Sequence, residues 1–105
     1  MADTNSLSVN QAEFQPGESL VAQFTAAPGF PDNAWVGIIP SSVPHGSELT
    51  NDAHDIAYRY LNGDTSGTLT FTAPEQPGSY DLRMHDTDSG DDGVEVASVS
   101  FTVAD

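Results

Sequence analysis

The residue pattern predicts an all-β domain, a seven-stranded antiparallel sandwich spanning residues 1–105 and held without a disulfide. Apolar residues alternate with polar ones in short runs, and Pro, Gly, Asn and Asp clusters cut those runs at close intervals. Cysteine is absent, so packing alone must hold the sheets together.

The elements follow in order. Leu7 and Val9 open an alternating run to Phe14. Pro16-Gly17 turns the chain into Leu20, Ala22 and Phe24, which reads as a first hairpin. After Pro28-Gly29 and Pro31-Asp32-Asn33, the run Ala34-Trp35-Val36-Gly37-Ile38-Ile39 is almost continuously apolar, the mark of a central strand covered on both faces. Trp35 is its candidate core pin. From Pro40 to Asp55 no periodicity survives, and a loop of this length in a small domain points to function. Ile56, Tyr58 and Tyr60 restore alternation, and Asn62-Gly63-Asp64 supplies a turn. Leu69 and Phe71, then Tyr80, Leu82 and Met84, then Val94 to Val103 complete the set, with a change of phase near Ala97-Ser98 that signals a bulge. Seven strands is the count of a constant-type immunoglobulin-like sandwich.

Two segments carry a family resemblance. Pro77-Gly78-Ser79-Tyr80-Asp81-Leu82-Arg83 resembles the start of the penultimate strand in bacterial immunoglobulin-like and fibronectin-like modules. That resemblance implies a corner role for Tyr80, its hydroxyl bonding upstream backbone. With Asn33-Ala34-Trp35-Val36-Gly37-Ile38 and Tyr58-Arg59-Tyr60, the order across residues 33 to 84 is also similar to SKICH-type domains and to sandwiches that precede some phosphatase catalytic domains. The resemblance implies a non-catalytic targeting or spacer module. The acidic residues after Arg83 depart from the SKICH-type pattern, so the partners of that family are not carried over.

Sixteen acidic residues against two basic ones give a formal charge of −14. Such a field repels nucleic acid and anionic membrane, and first of all it solvates the surface, as in a salt-adapted organism. No apolar run approaches the ~18 residues of a membrane span, and Met1 is not followed by a signal-peptide pattern. The expectation is a cytoplasmic protein if Met1 is native, and an extracellular one if the chain is cut from a secreted parent. Oligomeric state is not legible.

The densest carboxylate cluster, Asp86, Asp88, Asp91 and Asp92, falls in the turn before the last strand. Calcium takes six to eight oxygens, and clustered aspartates on a loop can supply them. EF-hand registers begun at Asp86 or Asp88 fail, since Ala97 or Val99 would stand at the closing glutamate. A non-EF apical calcium site remains, which Asp52 or Asp55 of the second acidic cluster (Glu48, Asn51, Asp52, His54, Asp55) would complete if the two loops share one end. The leading expectation is therefore a calcium-coordinating binding module, the null being an ordinary Asp/Gly turn. The alternative is a protein- or carbohydrate-interaction sandwich that uses Trp35, Tyr58, Arg59 and Tyr60 as an aromatic face. It requires Tyr58 and Tyr60 to point outward, whereas the default for both is core filling. His45, His54 and His85 show no metal-ligand spacing, and Arg59 and Arg83 read as structural partners of nearby carboxylates. There is no Gly-x-Ser-x-Gly elbow, no phosphate loop and no lysine. The reading is a binding module, not an enzyme.

Overall fold

A computed structural model describes residues 5–26, 29–30, 33–45, 48–87 and 95–104. In chain order the elements are β1 (Ser6–Val9), β2 (Glu13–Phe14), β3 (Ser19–Thr25), β4 (Trp35–Pro40), α1 (Glu48–His54), β5 (Ala57–Tyr60), β6 (Ser66–Thr72), β7 (Gly78–His85) and β8 (Glu95–Val103). They form two sheets, β1-β3-β6 and β2-β8-β7-β4-β5. All neighbours are antiparallel except β2, which runs parallel to β8 through Glu13↔Thr102 and Phe14↔Val103.

Eight strands are present among the described residues where seven were expected. The extra one arises because the run from Leu7 to Phe14 divides between sheets. Asn10 ends β1 by bonding Val21 twice, its N–H to the carbonyl (3.1 Å) and its Oδ1 accepting the Val21 N–H (3.1 Å). Released from β3, the chain crosses to β8, where Phe14 buries against Phe101 edge to face at 5.5 Å.

Period two builds the core. Leu20, Ala22 and Phe24 of β3 and Phe71 of β6 face Val36 and Ile38 of β4, Tyr80, Leu82 and Met84 of β7, and Phe101 and Val103 of β8. The Tyr80 hydroxyl donates to the Gln76 carbonyl at 2.8 Å, the corner bond expected of it. Asn62 (φ 56°) and Gly63 (φ 81°) both take left-handed backbone, and Asp64 N–H bonds the Leu61 carbonyl at 3.0 Å. This tight turn carries the chain from β5 in the larger sheet to β6 in the smaller.

Two further expectations are corrected. The segment from Pro40 to Asp55 contains α1 and is not irregular throughout. Trp35 is buried, but on the outward face of the larger sheet, in a second cluster with Ile39 and Val43. The parity of β4 dictates this, because Val36 and Ile38 take the inward positions. A Cβ on Gly37 would collide with the Trp35 ring, which explains a glycine in the middle of a central strand. Among the described residues no helix is long and apolar enough to cross a membrane.

Candidate functional site

The outward faces of the two sheets differ in kind. The smaller sheet shows water Ser6, Ser8, Gln23, Thr25, Ser66 and Thr68, an ordinary solvated surface. The larger sheet carries Trp35, Ile39, Asp81, Arg83 and His85 outward, and residues 41–45 together with α1 cover them. Beyond that cover lie Tyr58 and Tyr60 on β5.

Under the cover is a polar network centred on Arg83. Arg83, completely buried, donates to Asp81 Oδ2 from Nη2 (2.8 Å) and Nε (3.1 Å), to the Val43 carbonyl (2.8 Å), to the Pro44 carbonyl (3.3 Å) and to Asn51 Oδ1 (2.7 Å). One guanidinium thus fastens both the loop after β4 and α1 onto the sheet. Asp81 also accepts from Ser41 (2.8 Å) and Ser100 (2.9 Å). Burial raises the Asp81 pKa, but the hydrogen bonds from Arg83, Ser41 and Ser100 and the Arg83 charge outweigh it, leaving the carboxyl below the usual aspartate value.

The network also assigns its own protons. Because Asn51 Oδ1 accepts from Arg83, its Nδ2 faces His85 Nε2 (2.8 Å) and Glu95 Oε1 (3.2 Å), so His85 Nε2 is the acceptor and Nδ1 carries the hydrogen. That Nδ1 is buried without a hydrogen bond of good geometry. His85 stacks on Trp35 at 3.9 Å, and burial pushes its pKa down to about 4 against the pull of Glu95. His45, half exposed, donates from Nδ1 to Glu95 Oε2 at 2.6 Å, while its Nε2 lies 3.1 Å from Arg83 Nη2 and 3.2 Å from Asp81 Oδ2. Both ring nitrogens are engaged. Glu95 reaches this face through a bulge: Met84 pairs with Ala97 but His85 pairs with Glu95, so Val96 is the extra residue. The sequence placed that irregularity at Ala97-Ser98, close by, without the carboxylate it redirects.

Chemically this cluster positions backbone, its polar atoms bonding one another and the carbonyls of the loop after β4. Among the described residues no group of three or more His, Cys, Asp or Glu could hold a metal ion. His54 bonds the Thr50 carbonyl of its own helix at 3.0 Å and stands outside the network.

Of the expected calcium ligands, Asp55 and Asp86 are the two whose side chains are described. Asp88, Asp91 and Asp92 lie outside the described residues, as does the side chain of Asp52. Asp86 follows His85, which pairs with Trp35 at the start of β4, whereas Asp55 precedes Ile56, whose N–H bonds the Ile38 carbonyl near its end. Asp55 and Asp86 are thus about six residues of strand apart, on the order of 20 Å, so Asp55 does not complete a site with Asp86.

The aromatic set divides differently from the expectation. Tyr58 and Tyr60 do not fill the core: they are 47% and 37% exposed, packed edge to face on each other at 5.3 Å. Tyr58 meets the buried Trp35 ring edge at 6.4 Å, so Trp35 supports the face from behind and is not part of its surface. Arg59 points to the opposite side, its guanidinium 5.8 Å over Phe71. Ile56, half exposed, was not in the expected set and joins the two tyrosines. The signal for it was present in the alternation Ile56, Tyr58, Tyr60, read there as an inward face. A shallow groove of ≈ 520 Å³ runs along Asp55, Ile56, Ala57, Tyr58, Arg59 and Tyr60.

No protein-family model matches this sequence, and no characterised protein sequence matches it. Solved structures do match. The soluble domain of PmoD from Methylocystis sp. ATCC 49242 (Rockwell) superposes with a TM-score of 0.54 at 16% identity, over 93% of this chain and 89% of that one. The likeness establishes a shared β-rich fold.

Proposed function

We propose that the chain is a non-catalytic interaction module of immunoglobulin-like type whose binding surface is the Ile56, Tyr58 and Tyr60 strip. One observation carries this reading. Among the described residues, the exposed large hydrophobic side chains are these three, and they fall at alternate positions along the terminal strand of the larger sheet and the residue before it. Scattered apolar residues on a surface need no explanation, but a concentrated strip does. Tyrosine suits an interface because it brings large area with few rotamers to fix. The strand order and the Tyr80 corner bond favour the immunoglobulin-like assignment.

The buried network has a place in this role. Arg83 holds the loop after β4 by Val43 and Pro44 and α1 by Asn51 against the sheet, and α1 leads into β5. The strip is thereby rigid before any partner arrives, which lowers the ordering cost of binding.

The test is a triple replacement, Ile56→Ser with Tyr58→Ser and Tyr60→Ser. The three side chains are about half buried and the tyrosines pack on each other and on Trp35, so the cost is about 1–3 kcal/mol. The variant is expected to keep a cooperative unfolding transition while losing the partners that the parent retains from its own cells. Undiminished retention would contradict the proposal.

A further inference from the structure

We infer that the strip receives an extended segment of a partner protein bearing arginine or lysine at alternate positions, with its cations seated over the tyrosine rings. This deepens the interaction reading and rests on it. The chain has two basic residues and no lysine. Arg83 is buried in its bonds to Asp81 and Asn51, and Arg59, which borders the groove, holds its guanidinium over Phe71. A cation seated over the exposed tyrosine faces is therefore one that a partner brings.

Charge selects the occupant. Tyrosine rings attract guanidinium and ammonium groups, more strongly when partly desolvated, and Asp55 adds a carboxylate along the same groove. The net charge of −14 steers cations toward the chain and repels a second copy of itself, which would bring an equal negative charge into contact. The shape of the strip selects an extended conformation. Ile56, Tyr58 and Tyr60 project to one face with the two-residue repeat of a strand, and β5 is the last strand of its sheet, so an extended segment alongside matches that repeat.

The experiment is a titration of the isotope-labelled full chain, followed by amide chemical shifts, with three probes: a capped alternating Arg-Thr octapeptide, the Gln-Thr octapeptide of the same length, and cellopentaose. The Arg-Thr peptide is expected to shift the amides of residues 56–60, and to bind several-fold more weakly when salt rises from roughly 50 to 300 mM. Tyr58→Leu with Tyr60→Leu should weaken it about tenfold, and the corresponding Phe pair should preserve it. If the Gln-Thr peptide or cellopentaose shifts the same amides as strongly, the cationic occupant is overturned while the interaction reading stands. Arg-Thr shifts scattered over the acidic surface and indifferent to the Leu pair, or no shift at residues 56–60 with any probe, overturn the inference. The serine triple replacement decides the broader reading separately.

Discussion

Arg83→Met is expected to destabilise the domain by about 3–5 kcal/mol, the cost of leaving a buried carboxylate without its partner. Asp81 is 2% exposed and takes two bonds from that guanidinium. The carbonyls of Val43 and Pro44 and the Asn51 amide lose their donor in the same step. Arg83→Lys should recover little, since an ammonium cannot reproduce a planar fork that serves Asp81, two carbonyls and Asn51 together. Asp81→Asn in the Arg83→Met background should restore part of the loss by removing the stranded charge. Denaturant unfolding of the four proteins measures this, and an Arg83→Met cost below about 1 kcal/mol would show that the network does not hold the loop after β4 and α1.

Acid should act through His85. Its folded pKa of about 4 lies below the ordinary value of 6.5. Between those values the unfolded chain binds a proton that the folded chain refuses, so stability rises with pH through the window and is lost as pH falls from 6.5 toward 4. The loss amounts to on the order of 3 kcal/mol. Protonation puts a hydrogen on Nε2, where Asn51 Nδ2 already donates, and a charge beside Arg83 that Glu95 and Asp86 only partly offset. Asp81, with its pKa below 3.8, adds a second loss only under still more acidic conditions. His85→Phe keeps a ring against Trp35 and removes the titration, so its unfolding free energy should be flatter than the parent's from pH 7 to 4. Parallel curves for the two proteins would refute the assignment.

The legible parts of the fold were those that depend on local pattern. Alternation located β3, β6 and β7, the apolar run marked β4 as covered on both faces, and Tyr80 made its corner bond. What was not legible depends on which sheet a strand joins. The division of β1 from β2 is decided by bonds between Asn10 and Val21, and Asn10 stands alone, with no Pro or Gly beside it to mark a break. The outward placement of Trp35 could not be foreseen, because a strand apolar at every position does not say which face meets the other sheet. Once residues 41–45 and α1 fold over that face, Trp35, Arg83 and His85 are buried there, and the tyrosines of β5 fall past the end of the cover. Parity was therefore readable for Tyr58 and Tyr60, but its sign was not. The polar network was least visible of all. Its members, His45, Asn51, Asp81, Arg83, His85 and Glu95, come from three elements and one loop, and a bulge at Val96 aims the last of them.

Partners are expected to meet this domain at β5. A photo-crosslinking residue placed at position 58, and in a second protein at Ser8 on the outward face of the smaller sheet, tests it most directly. Irradiation in the native cell is expected to give discrete adducts from position 58, lost when Tyr60 is changed to Ser, and none of comparable yield from position 8. Equal yields from the two positions, or adducts from position 8 alone, would contradict it.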